Sequence, residues 1–342
     1  MNHPAGVVGP PVFVIHIPLV VQRLRHYPAG ENIGKPWPRF TRILVPVPED
    51  VDEAFKLDSL LPDRDWTVLP EGVTAFRFAA PSGSLAAIQA GRAGNPRVVL
   101  VPGVTGSKED FVLMMPDLAA AGFHVVAYDM AGQYESSAAG PEDLVPQTRH
   151  YTHDLFVSDL LAMLESSPGP AHVLGYSFAG TVTQIALTRR PELFLSLTLL
   201  SAPPQSGQGF RGMKGVGSFS GLAPASLGAG FMLLGLQLNV VRVPPGRASF
   251  VRLRLQQTRR RSVSDIIGLM KHAPDLNVRM AGATLPKLVA VGEHDLWPVE
   301  LHRELATAIG ATLAVYPTGH SPCETSPNQL VRDLLALYAR AV

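Results

Sequence analysis

Short apolar runs that alternate with longer helix-like segments constrain this chain more than any other feature. Runs at 97–101, 124–128, 195–200, 288–291 and 313–316, with another ending at Val173 and Leu174, have the length of buried strands. Between most of them lie stretches of helical character, at about 108–121, 151–164 and 178–189. In the second stretch Leu155, Val157, Leu160, Leu161 and Leu164 recur mainly at helical spacing. Strand and helix in alternation predict an α/β fold, a mostly parallel sheet joined by crossover helices. Ahead of it, 74–78 and 85–90 read as a strand pair around a turn at 81–83, and a closing helix is expected from Pro327 to about Ala339.

The strand rhythm stops between Pro204 and Lys287, so residues 205–280 are expected to form an insertion, Gly-rich first and helical later. Residues 66–204 and 281–342 then form the core, and 1–65, with Pro36, Pro38, Pro46 and Pro48, read as an extension wrapping it. At 342 residues and 46% hydrophobic content the chain can bury one large core. The lone Cys323 excludes an internal disulfide framework and a cysteine-based zinc site, and reads as a small apolar residue. MNHPAGVVGP has no basic leader region, and the run PVFVIHIPLVV is interrupted by His16 and Pro18 and too short for a bilayer. A cytoplasmic protein is the expectation.

HVLGYSFAGTVTQ, residues 172–184, sets Ser177 between a strand and a helix, with Gly175 and Ala179 two residues away on either side. A strand that turns directly into a helix tolerates only small neighbours, and it leaves the side chain at the turn exposed. Ser177 would stand at the helix N-terminus, where unpaired N–H groups favour an anion. The alternative is a Gly-rich turn whose serine merely caps a helix. A nucleophilic serine needs a base, and the base an orienting carboxylate. Asp295 in VGEHDLWP and His320 in YPTGHSP both follow strands, as Ser177 does, so the three converge on the rim where parallel sheets bind ligands. Glu293 is a rival acid nearer the strand, His294 cannot supply a permanent negative charge, and Glu324 is expected to fix the histidine loop.

These residues resemble the α/β-hydrolase superfamily from about Trp66 to Val342, interrupted by the insertion as a cap. VPGVTGSKEDF resembles the loop after the third strand, with Pro102 in place of the usual histidine. YDMAGQYESS resembles the Asp-x-x-Gly-x-Gly-x-Ser turn, with Tyr134 replacing the second glycine, and VGEHDLWP and GHSPCETSP resemble the acid and histidine loops. The resemblance implies a mostly parallel twisted sheet with helices on both faces and a largely helical cap. It implies Ser177, Asp295 and His320 as catalytic residues, and the amides of Val104 and Phe178 as an oxyanion hole. It implies an ester hydrolase without a cofactor or metal; thioesterase, lactonase, perhydrolase and carbon–carbon bond hydrolase stay open, as does a non-catalytic binding protein.

Residues 205–280 hold eleven lysines and arginines against Asp265 and Asp275, a net charge of +9, while the remainder carries −8 of the chain's +1. The excess either steers an anionic substrate, rests on an anionic membrane surface, or forms a solvated helix face. Arg259, Arg260 and Arg261 are the candidates for steering. Phe231, Met232, Leu233, Leu234, Leu236 and Leu238 either line an acyl pocket or form the cap's own core. No nucleic-acid motif accompanies the arginines. A small ester or thioester, apolar or anionic, is the expected substrate.

Overall fold

The computed structural model describes residues 52–213, 230 and 243–341. Its sheet comprises β1 (Val73–Ala80), β2 (Gly83–Ala90), β3 (Arg97–Val101), β4 (His124–Tyr128), β5 (Ala171–Tyr176), β6 (Phe194–Leu200), β7 (Lys287–Gly292) and β8 (Thr312–Tyr316), in the order β1-β2-β4-β3-β5-β6-β7-β8. β1–β2 and β2–β4 pair antiparallel; every other pair is parallel. The helices are α1 (Glu53–Ser59), α2 (Met115–Ala120), α3 (His153–Glu165), α4 (Phe178–Arg189), α5 (Pro245–Gln257), α6 (Arg260–Met270), α7 (Asn277–Gly282), α8 (Val299–Ile309), α9 (Pro322–Thr325) and α10 (Pro327–Tyr338).

The strand residues divide between two cores. Val99 and Val101 of β3 join one that includes Leu160 of α3 and Val182 of α4. Val98 and Leu100 join the other, with Leu118 of α2 and Leu334 of α10. Successive side chains of a strand point to opposite faces, so an all-apolar strand of this kind needs helices on both sides. The expected sheet, its antiparallel pair and the helix at 178–189 match what is observed.

One expectation needs correction. The helix expected at 108–121 is a 3-10 turn at Lys108–Phe111 followed by α2. Pro116 accounts for the break: it has no N–H to donate to the preceding turn, so it sits in the first turn of a new helix. α8 is a further helix that the strand-and-helix reading does not include; on it His302, Leu305, Ala306 and Ile309 form a buried stripe at helical spacing.

From β3 the chain steps to β4 on one side, and from β5 it proceeds to β6 on the other. The crevice at their carboxyl ends is therefore where the order reverses, the usual place for a ligand in an open α/β sheet. The segment between β6 and β7 supplies α5, α6 and α7. Of the expected wrapping extension, residues 1–51 lie outside the described residues, as do the apolar candidates Phe231 to Leu238. Within the described part, Asp58 of α1 accepts the backbone and side-chain amides of Asn328 and Gln329 at 2.7–3.1 Å. A carboxylate at the start of α10 also complements that helix's dipole.

Candidate active site

β5 passes into α4 through the single residue Ser177, whose φ of 53° and ψ of −122° no ordinary strand or helix residue adopts. Holding a non-glycine residue there costs on the order of 1–3 kcal/mol. The surroundings enforce it. Ser177 donates its N–H to Leu200 O at 2.8 Å, and Gly180 donates to Ser177 O at 2.9 Å. A side chain at Gly175 would lie 2.5 Å from Ala179 O and from Thr183 Oγ1, and one at Gly180 would collide with Ala202. The small residues around the serine are thus demanded by close backbone approach and by packing against β6.

The loops after β7 and β8 bring Asp295 and His320 to the same rim. His320 Nδ1 donates to Asp295 Oδ1 at 2.5 Å, which leaves Nε2 to accept from the Ser177 hydroxyl at 3.2 Å. The tautomer follows because an ionised carboxylate can only accept. Tyr176 and Trp297 flank the imidazole, with ring centroids 5.4 and 6.1 Å away. Burial alone would push the Asp295 carboxyl up, but hydrogen bonds from His302 and His320, and their charge, hold it down at about 2. The rival acid is elsewhere: Glu293 and His294 are exposed and pair with each other at 3.0 Å.

His302 escaped the sequence reading. It is fully buried on α8, and its Nε2 donates to Asp295 Oδ2 at 3.0 Å. The available signal was a polar residue at the head of a buried stripe, legible only once 299–309 is recognised as a helix.

Opposite Ser177 runs the loop after β3. A Cβ on Gly103 would sit 2.8 Å from Ser177 Cβ, so only glycine lets this loop approach. Thr105, at φ 58°, donates its N–H to Gln133 Oε1 at 2.9 Å, and Gly106 donates to Gly103 O at 3.0 Å. The amides of Thr105 and Gly106, the two residues after Val104, are thus taken by protein acceptors. Phe178, first residue of α4, has one of the N–H groups that helix geometry leaves unpaired. Tyr134, where the resemblance calls for glycine, retains a left-handed φ of 39°. Its ring packs edge-on against Phe250 of α5, with Lys108 Nζ 4.9 Å from its centroid.

Part of the excess positive charge of 205–280 is spent on ion pairs with the core. Arg247 and Arg254 of α5 are buried and donate to Asp110 Oδ1 at 2.7 and 2.6 Å, and Arg247 also pairs with Glu324. Glu324 therefore ties the histidine loop to α5 rather than only bracing it. Arg259 pairs with Glu142 and donates to Tyr151 Oη at 3.1 Å and Ala138 O at 3.0 Å. Arg247 and Arg254 therefore belong to no solvated face, and of the steering candidates Arg259 is already engaged in an ion pair. Arg260 and Arg261 are exposed. Cys323 is fully buried and its thiol is pushed up by that burial, as a small core residue requires. No described helix is long and apolar enough to cross a membrane.

Residues 96–226 match the family model described as the alpha/beta hydrolase fold. No curated protein sequence matches the chain significantly. Among solved structures, the chain is similar to a hydrolase from Pseudomonas aeruginosa at 22% identity, with a TM-score of 0.61 over 77% of this chain and 98% of that one. It is similar to the enol-lactonase of Burkholderia xenovorans at 19% identity and TM-score 0.64, covering 77% and 100%. A carboxylesterase structure from the thaumarchaeon Nitrososphaera gargenis is 17% identical, with a TM-score of 0.64 over 78% and 98%.

Proposed function

We propose that this chain, whose residues 96–226 match the alpha/beta hydrolase fold model and whose fold is that of solved hydrolases, is a serine hydrolase cleaving a carboxylic ester through an acyl-enzyme intermediate. Ser177 Oγ attacks the ester carbonyl carbon while His320 Nε2 takes the hydroxyl proton. The carbonyl oxygen becomes an oxyanion, received by the N–H groups of Val104 and Phe178. As the carbonyl re-forms, the ester C–O bond breaks and His320 returns the proton to the departing alkoxide, releasing an alcohol. Water then repeats the sequence: His320 takes its proton, the hydroxide oxygen attacks the acyl carbon, and Ser177 leaves with the proton restored. Asp295 holds the imidazole in the required tautomer and stabilises its cation. In this reading 66–204 and 281–342 are the catalytic core and 205–280 the cap.

One observation carries the reading: the unbroken hydrogen-bonded row Ser177–His320–Asp295, assembled from three loops at one rim of the sheet. The glycine-limited approach of the Val104 loop to Ser177 supports it. Likeness to an enol-lactonase favours lactone opening as a second reading, since a lactone passes through the same tetrahedral centre. Relative rates on p-nitrophenyl esters, acyl thioesters and lactones distinguish ester, thioester and lactone specificity.

The test of the nucleophile is covalent labelling by a fluorophosphonate. Wild type is expected to be labelled, Ser177→Ala not at all while still folded, and His320→Ala slower by several orders of magnitude. Labelling should be lost in acid, because a protonated imidazole cannot accept the serine hydrogen. Equal labelling of wild type and Ser177→Ala removes the assignment.

A further inference from the structure

α8 presents four residues to the interior, and the first of them is a histidine. Leu305, Ala306 and Ile309 continue the stripe at the spacing of an apolar helix face, so an aliphatic side chain would fill the position of His302 at no polar cost. The imidazole is instead fully buried, and its Nδ1 has no hydrogen-bond partner among the described residues. Burying half of a polar ring unsatisfied is unfavourable. What the position gains is the other nitrogen: only the tautomer protonated on Nε2 can donate to Asp295 Oδ2, 3.0 Å away.

The Asp295 carboxylate needs such a donor. Rotation about its terminal sp³–sp² bond is broad, so side-chain geometry alone does not set the plane in which the carboxylate meets His320. Among the described residues its two side-chain donors are His320 on Oδ1 and His302 on Oδ2. His320 is the group being oriented and cannot also be the reference. His302 can, because α8 is anchored by Leu305, Ala306 and Ile309 and Trp297 meets the His302 ring edge-on at 6.4 Å.

Resting on the reading of Ser177, His320 and Asp295 given above, we propose that His302 is a positioning residue: its Nε2–H holds the plane of the Asp295 carboxylate so that one oxygen is directed at His320 Nδ1, and it draws part of the negative charge to the other oxygen. Asp295 is the ionisable group His302 contacts. Of the other charged groups nearby, Glu300, Arg303 and Glu304 on α8 and Arg279 on α7 are exposed. Lys287 of β7 donates to Ala283 O and Leu285 O, and Glu293 and His294 pair with each other. Without the His302 bond the carboxylate charge concentrates on the His320 side and the carboxylate is free to turn. Extra charge there favours protonated His320, and a turning carboxylate orients it less often.

The experiment is the second-order rate of fluorophosphonate labelling against pH, using the full chain. His302→Leu, which preserves the apolar packing, is expected to lower the high-pH plateau by about tenfold to a hundredfold, the scale of one oriented hydrogen bond to a charged group. It should also displace the rising limb upward by about half a pH unit. His302→Gln places an amide N–H near the site of Nε2 and should restore both to within about threefold, because one donor is all the position supplies. A wild-type plateau and limb in His302→Leu overturn the proposal, and so does a Gln variant that behaves like the Leu variant. Should neither variant fold, nitrogen-15 histidine spectra of the wild type decide: His302 protonated on Nε2 supports the proposal, and on Nδ1 overturns it. Ser177→Ala runs alongside; persistent labelling there sinks the serine-hydrolase reading itself, whereas its loss with an indifferent His302→Leu sinks only this inference.

Discussion

Asp295 and Asp110 are both buried carboxylates, and each takes two side-chain donors. Asp295 receives His320 and His302; Asp110 receives Arg247 and Arg254 of α5. In both, partners overcome the upward push of burial and lower the carboxyl's pKa. The partners differ in one respect. An imidazole can take up and release a proton on a neutral nitrogen, whereas a guanidinium remains charged and can only donate. In the proposed mechanism the Asp295 site therefore passes a change of charge to Ser177, while the Asp110 site can only clamp α5 to the loop after β3. A third buried acid supplies the baseline: Asp159, whose donors are the N–H and hydroxyl of Ser82, is pushed up by burial to about 7.

The comparison breaks most sharply on removing one charge from each site. Asp295→Asn should lower the rate of fluorophosphonate labelling by about 10⁴-fold while the chain stays folded, because the amide can hold His320 in the wrong tautomer. Comparable labelling in this variant would place the orienting acid elsewhere. Asp110→Asn should do the reverse. It leaves buried guanidinium charge short of a partner and is expected to cost about 3–5 kcal/mol in denaturant unfolding, with the pH profile of labelling unmoved. A shifted profile would mean that the clamp also tunes the histidine.

A smaller effect sharpens the same contrast in acid. The folded Asp295 carboxyl, at about 2, lies below its ordinary 3.8. A depressed carboxyl contributes stability that is present above the unfolded value and lost as pH falls through the folded one. The stability difference between wild type and Asp295→Asn should therefore shrink by about 2 kcal/mol between pH 5 and pH 2. A difference independent of pH would show that Asp295 is not ionised against its histidines. The smallest expected effect concerns the exposed pair outside both sites. Arg260→Gln with Arg261→Gln should change stability by less than about 0.5 kcal/mol and slow anionic and neutral ester probes alike. A salt-sensitive loss confined to the anionic probe would restore the steering role for that face.

The readings that came directly from sequence were local ones. All-apolar runs of five or six residues specify buried strands, and the small residues around Ser177 announce a backbone that must pass close to its neighbours at φ 53°. Tyr134 shows the limit of such a pattern: a glycine position occupied by tyrosine keeps the left-handed turn because Phe250 and Lys108 hold its ring. Candidate partners for Ser177 were legible too, since strand ends in a parallel sheet share one rim.

Contacts between elements decided the rest. Charge counting gives +9 in residues 205–280 without locating its partners, because Asp110, Glu142 and Glu324 lie between 77 and 144 residues from the arginines they meet. Pairing over such separations depends on how α5 and α6 pack, which no local period encodes. His302 is only seven residues from Asp295, yet its place at the head of an apolar stripe does not by itself announce their bond. Whether a polar residue on a helix faces water or a buried carboxylate depends on what the helix packs against, and only the tertiary structure brings α8 beneath the loop after β7.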